Sequence, residues 1–217
     1  MQNVVIRAIE RLDFRTKEAY KTLRTNLSFA GKNVKVISLT SCTPNEGKTS
    51  VSFQLCLSLA ESGKQTILVD ADLRKSVLRG RYKANREKYG LSHYLSGQVE
   101  LDDACCRTNV NNFDIIFAGP VPPNPSELLG GDAFRNMLEV LRMKYDYVIV
   151  DTPPLGSVID AAIVGAICDG TVIVVESGAI SYKFVQNVKE QLNKVGCRIL
   201  GCVLNKVNTK KNPYYGK

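Results

Sequence analysis

Six stretches of the chain, at residues 35–40, 66–70, 113–118, 145–151, 171–176 and 198–205, are apolar throughout rather than apolar at alternate positions. A strand with one wet face alternates. A strand covered on both faces does not, and parallel sheets are covered on both faces. Helical periodicity fills most of the intervals, over residues 48–62, 131–144, 157–167 and 182–195. This alternation predicts an α/β fold built on a doubly wound, mostly parallel sheet with right-handed crossovers. Ligands of such sheets bind beyond the carboxyl ends of the strands. With 217 residues and 44% hydrophobic content, the chain suits one domain with a sizeable core.

Between the first of these strands and the first long helix runs Ser41-Cys42-Thr43-Pro44-Asn45-Glu46-Gly47-Lys48-Thr49. Backbone N–H groups at a helix N-terminus, with a lysine beside them, form a site for nucleotide phosphates. The usual pattern is G-x-x-x-x-G-K-[ST]. Gly47, Lys48 and Thr49 supply its second half, while Cys42 stands where the first glycine is expected. Gly-Lys-Thr alone is common, so the flanks carry the weight. Val36-Ile37-Ser38-Leu39 precedes the loop as a buried strand, and Val51, Leu55, Leu59 and Ala60 give the next segment a helical apolar face.

Two further strand ends carry acid. Asp70 and Asp72 follow Ile67-Leu68-Val69, with Arg74 just beyond. If strand geometry persists, the two carboxylates point the same way. Asp151 ends Tyr147-Val148-Ile149-Val150, the Walker B arrangement in which an aspartate joins the loop Ser/Thr in holding Mg²⁺. Thr49, Asp72 and Asp151 therefore form a magnesium shell of hard oxygen donors.

Composition excludes several alternatives. His93 is the only histidine, which leaves no histidine triad and no multi-histidine metal site. The seven cysteines form no C-x-x-C pair and read as reduced cytosolic thiols. The net charge of +8 suits an acidic partner or an anionic surface. No basic run is interleaved with aromatics, so no nucleic-acid partner is expected. No apolar stretch reaches the ~20 residues of a membrane helix, and no signal-peptide core opens the chain. The expected organisation is an N-terminal extension over 1–33 with a helix at 16–29, a nucleotide-binding domain over 34–206, and a flexible basic tail over 207–217.

Taken together, these segments resemble the bacterial tyrosine kinases, P-loop ATPases related to the septum-site and chromosome-partitioning ATPases. That family's loop, S-x-x-P-G-E-G-K-[ST], is matched by Ser41, Pro44, Glu46, Gly47, Lys48 and Thr49, with Asn45 in place of a glycine. Its second motif, D-x-D-x-R after an apolar run, is matched by Asp70, Asp72 and Arg74. Asn124-Pro125-Ser126-Glu127-Leu128-Leu129, Asp151-Thr152-Pro153-Pro154 and Asp160 also resemble family segments. Partitioning ATPases carry a lysine where Thr43 stands, which favours the kinases over a related ATPase acting only as a conformational switch.

The resemblance implies ATP and Mg²⁺ as cofactors. Asn45, Glu46, Gly47, Lys48, Thr49 and Ser50 would cradle the phosphates, and Asn205 would read the adenine edge. Asp70 is implied as the base, beside Lys48 and Asp72 as catalytic groups and Thr49, Asp72 and Asp151 at the metal. A helix carrying E-x-x-R-x-x-R joins the family's subunits into rings; here it reads Glu18, Lys21 and Arg24, so a homo-oligomer is expected. Tyr214 and Tyr215 stand where the family carries its phospho-acceptor cluster. The implied partners are a membrane-anchored polysaccharide co-polymerase that activates the kinase, a cognate tyrosine phosphatase and tyrosine-bearing protein substrates. The implied setting is the cytoplasm, at the inner face of the plasma membrane, and the implied process is capsular or exopolysaccharide export.

Overall fold

The computed structural model describes residues 1–85 and 88–208. Eight strands form one sheet: β1 (Gln2–Val4), β2 (Val36–Ser41), β3 (Thr66–Asp70), β4 (Cys106–Thr108), β5 (Phe113–Ile116), β6 (Tyr147–Asp151), β7 (Gly170–Glu176) and β8 (Ile199–Asn205). Their order is β1-β4-β5-β3-β6-β2-β7-β8, and every pairing is parallel except β4 with β5. The helices are α1 (Phe14–Phe29), α2 (Lys48–Glu61), α3 (Leu78–Arg81), α4 (Leu91–Leu95), α5 (Leu101–Ala104), α6 (Pro125–Gly130), α7 (Asp132–Lys144), α8 (Asp160–Gly165) and α9 (Tyr182–Lys194).

The continuous apolar runs are explained by two cores, one on each face of the sheet. Ile37, Leu39, Leu68 and Ile149 join Val51, Leu55 and Leu59 of α2 in one cluster. Their chain neighbours Val36, Ile67, Val69, Val148 and Val150 join Phe134, Met137, Leu138 and Leu141 of α7 in the other. Side chains still alternate between faces with period two; both faces are dry, so the sequence shows no alternation. The α7 residues recur at i, i+3, i+4 and i+7, and each stabilises by ~1.5–3 kcal/mol through burial.

Sequence periodicity misses β1 and β4. Three residues are too few to display a period, and both strands lie at the far edge of the sheet. Gln2, Asn3 and Val4 pair with Cys106, Arg107 and Thr108. Residues 1–33 thus contribute a strand to the sheet as well as a helix, and Val4, Ile6 and Leu27 all enter the α2-side core. α8 starts later than the pattern suggests, because the Ser157 and Val158 N–H groups turn back onto the Pro154 carbonyl.

The chain passes from β2 through α2 to β3, and β6 lies between the two strands. This brings three carboxyl ends together. Asp151 of β6 sits level with Asp70 of β3 on one side and Leu39 of β2 on the other.

Candidate nucleotide site at the strand ends

The loop between β2 and α2 is built on two left-handed residues, Asn45 (φ 69°) and Gly47 (φ 88°). Gly47 has no alternative, since a Cβ there would stand 2.2 Å from the Asn205 amide nitrogen. Asn45 is different. The position requires positive φ, which glycine and asparagine adopt most readily, so asparagine departs from the family pattern while meeting its backbone requirement. Asn45→Gly is expected to change stability by no more than ~0.5 kcal/mol, whereas Asn45→Ala costs ~1–2 kcal/mol. Urea unfolding of the two variants measures this, and equal effects would contradict it.

Glu46 is a strut. Its buried carboxylate accepts the Thr43 N–H and, at 3.1 Å, the Thr43 hydroxyl; its other oxygen accepts the Glu176 N–H at 2.9 Å. Only its backbone is placed to face a phosphate, since its carboxylate turns into the protein. The end of β8 clasps the same loop. Asn205 Nδ2 donates to the Glu46 carbonyl at 2.8 Å, and Lys206 Nζ donates to the Asn45 carbonyl at 2.6 Å while pairing with Glu176 at 2.7 Å. Asn205 is therefore brought to the loop, with its amide nitrogen engaged there. Sequence reasoning missed Lys206, whose only signal was a basic side chain directly after the last strand.

Asp151 gathers three donors. Lys48 Nζ lies 2.7 Å and Ser52 Oγ 3.0 Å from Oδ1, and Thr49 Oγ1 lies 2.7 Å from Oδ2. Lys48 and Ser52 are one helical turn apart and face the same way. Beside this cluster, Asp70 is 1% exposed and accepts a hydrogen bond from the Ser76 hydroxyl. Burial, and then the negative charge of Asp151, push its carboxyl up to about 7; the Ser76 hydrogen bond and Lys48 oppose the shift.

Asp72 does not extend the strand. β3 ends at Asp70, and the chain turns there: the Asp72 N–H donates to Asp70 at 3.3 Å, and Asp72 accepts the Lys75 N–H at 3.0 Å. The expectation of two carboxylates in one strand direction is corrected accordingly. The turn still places Asp72 on the wall of a cavity of about 250 Å³ that it shares with Lys48, Thr49, Arg74, Arg81 and Pro154. Ser50, the last of the predicted phosphate-loop residues, accepts a 2.7 Å hydrogen bond from Arg81.

Arg74, Ser126 and Asp160 explain why distant motifs accompany the loop. Arg74 forks onto both Asp160 oxygens at 2.7 and 3.1 Å, and the Ser126 hydroxyl donates to Asp160 at 2.6 Å. Burial works to raise the Asp160 carboxyl, but these hydrogen bonds outweigh it and hold the group below the ordinary carboxylate range. The ion pair anchors the turn carrying Asp72. Cys42 is fully buried, and burial and then the Glu46 carboxylate push its thiol up to about 12, which disfavours the thiolate.

The oxygen donors suit a hard cation. Among the described residues no group of three or more His, Cys, Asp or Glu side chains converges into a closed cage. Thr49 and Asp72 line the cavity, and Asp151 lies behind it, bonded to Thr49; a cation held by so open a set of hard oxygens would complete its shell with phosphate oxygens and water.

Of the predicted subunit contacts, Glu18 and Lys21 pair with each other at 2.6 Å on the exposed side of α1. Arg24 turns inward and donates to the Ser58 carbonyl of α2 at 2.6 Å, bonding α1 to its own domain. Tyr214 and Tyr215 lie outside the described residues. Among the described residues, no helix is long and apolar enough to cross a membrane.

A mostly parallel sheet in which an interior strand runs into Gly47-Lys48-Thr49, with an aspartate closing the neighbouring strand, defines a nucleotide-binding P-loop ATPase. Residues 34–201 match the family model described as an AAA domain. The tyrosine-protein kinase CpsD of Streptococcus agalactiae is 44% identical over 208 residues, covering 94% of this chain and 91% of that protein. The solved kinase domain of the Escherichia coli tyrosine kinase ETK superposes with a TM-score of 0.86 at 35% identity, covering 94% of this chain and 84% of that one. The septum site-determining protein MinD of Pyrococcus horikoshii, solved with Mg-ADP, superposes less closely, with a TM-score of 0.68 at 26% identity over 82% of this chain and 72% of that one. The chain belongs to the bacterial tyrosine-kinase family.

Proposed function

We propose that this protein transfers the γ-phosphoryl group of ATP to tyrosine hydroxyls, including Tyr214 and Tyr215 of neighbouring subunits, and thereby controls capsular or exopolysaccharide synthesis and export. One observation carries the reading: a buried carboxylate, Asp70, stands level with the Walker B aspartate and beside Lys48. A switch ATPase needs a carboxylate for its metal. A second, more basic carboxylate at the same level supports proton removal from an incoming phenol, whose ordinary pKa is ~10.

In this reading the N–H groups from Asn45 to Ser50 cradle the phosphates. Lys48 exchanges Asp151 for the β- and γ-phosphate oxygens, and Asp70 takes the phenolic proton. Thr49, Asp72 and Asp151 would hold Mg²⁺, which would neutralise charge on the transferred group. Glu18 and Lys21 present the exposed polar face of α1 for ring assembly, and Arg24 fixes that helix on its domain. A membrane-anchored polysaccharide co-polymerase recruits and activates the kinase at the inner leaflet, helped by Lys210, Lys211 and Lys217, and a cognate phosphatase reverses it.

The test incubates the protein with ATP and Mg²⁺, with and without its activator's cytosolic segment, and reads phosphotyrosine by mass spectrometry. Label is expected on the tail. The double change Tyr214→Phe, Tyr215→Phe should remove most of it. ATP turnover without phosphotyrosine in the activator's presence would leave the switch-ATPase reading standing instead.

A further inference from the structure

A second cleft, of about 900 Å³, adjoins the nucleotide cavity. Val77 and Arg81 line both, and Ser76, whose hydroxyl donates to Asp70, lines the cleft. Ser76 thus links the cleft to Asp70, which lies buried behind it and lines neither cavity. The cleft's floor is a close backbone crossing, where a Cβ on Gly90 would lie 2.6 Å from the Phe117 carbonyl oxygen. Its walls carry Arg79, Arg81, Lys88, Tyr89 and His93, and none of the described residues lining it is an aspartate or a glutamate. Lys88 lies 4.9 Å over the Tyr89 ring, and Tyr89 meets His93 edge-to-face at 5.5 Å.

We propose that this cleft binds an acidic segment flanking the target tyrosine of another protein, and so selects substrates; the proposal rests on the kinase reading above. Arginine and lysine recognise carboxylates through charge-assisted hydrogen bonds, and the aromatic pair offers a surface for apolar side chains between them. The volume lies near the top of the range for small-molecule sites and accommodates several residues of extended chain. Charge complementarity sets the occupant. Residues 207–217 contain three lysines and no aspartate or glutamate, so the protein's own tail shares the sign of the cleft. Its phosphorylation within a ring depends on effective concentration rather than on recognition. Acidic tyrosine segments of other proteins are held by affinity.

The experiment uses the full chain loaded with a non-hydrolysable ATP analogue. Two fluorescent peptides, each with Phe in place of Tyr, carry acidic or lysine flanks, and binding is read by anisotropy. The acidic peptide is expected to bind at least ~10-fold more tightly and to weaken as salt rises. Lys88→Glu should cut its affinity at least ~10-fold, and Lys88→Gln by a smaller factor. Retained analogue binding shows that these variants are folded. With Tyr restored, the acidic preference should lie in KM, with kcat unchanged. Equal binding of the two peptides, or undiminished acidic binding by the Glu variant, would overturn the cleft assignment alone. Tight acidic binding with no phosphorylation of the Tyr version, when ATP, Mg²⁺ and the activator's cytosolic segment are supplied, would overturn the kinase reading, and with it the cleft's role in substrate choice.

Discussion

Lys48→Met is expected to lower phosphotyrosine formation at least ~100-fold, because in the proposed mechanism it removes the charge that gathers the β- and γ-phosphates. A second expectation follows from what Lys48 does without nucleotide. It is 6% exposed and 2.7 Å from Asp151, itself 1% exposed. Removing one member of a buried ion pair strands the other, at a cost of ~3–5 kcal/mol. Asp151 keeps the hydroxyls of Thr49 and Ser52, which places the expected loss near the lower end of that range. Asp151→Asn combined with Lys48→Met removes both charges, so the double variant should be more stable than Lys48→Met alone, with a coupling of ~2 kcal/mol between the sites. Urea unfolding of the ligand-free single and double variants measures the coupling. Activity should stay absent in the double variant, which separates the loss of catalysis from the loss of stability. Additive stability effects would show that the pair is not coupled in solution.

The parts of this site that were legible in the sequence are those carried by short stretches of chain. A strand ending in Asp151, a loop ending in Gly47-Lys48-Thr49 and a helix beginning there can each be seen within about ten residues, because period and punctuation are local properties. What the sequence does not show is the contacts that give residues their roles across the fold. Ser52 meets Asp151 across 99 positions, Ser126 meets Asp160 across 34, and Lys206 reaches the Asn45 carbonyl across 161. An isolated serine on a helix carries no sign of such a partner. The Asp72 turn fails for another reason. Alternation gives the direction of a side chain only while the strand lasts, and β3 ends at Asp70. Only resemblance to the family's E-x-x-R-x-x-R helix marks Arg24 as a subunit contact; its bond to the Ser58 carbonyl behind, within reach of a long arginine, has no sign in the sequence. Asn45 departs from the motif's glycine in name only, since its φ of 69° shows that the constraint is on the backbone.

Asp70→Asn is expected to abolish tyrosine phosphorylation and also to make the ligand-free protein more stable at and above neutral pH. Burial and the neighbouring Asp151 raise the Asp70 carboxyl to about 7, whereas in the unfolded chain it titrates near its ordinary 3.8. Between these values the folded state binds a proton at Asp70 that the unfolded state does not. Stability therefore falls as pH rises through that window, by ~1.4 kcal/mol per unit, and levels off above the folded pKa. The charged form above pH 7 costs the fold on the order of 3–4 kcal/mol relative to the protonated form at pH 4. Asparagine is close in shape, and its carbonyl can still accept the Ser76 hydroxyl. It carries no charge beside Asp151, and so removes this slope. Urea unfolding of the metal-free, nucleotide-free protein and of Asp70→Asn, at intervals from pH 4 to pH 8.5, should show their stabilities diverging in favour of the variant up to about pH 7. Parallel pH profiles would mean that Asp70 is ionised as easily in the fold as in water, and it would then lack the raised basicity on which its role as proton acceptor rests. A carboxylate whose removal both strengthened the fold and stopped the reaction would be one held there at a cost in stability for what it does to the substrate.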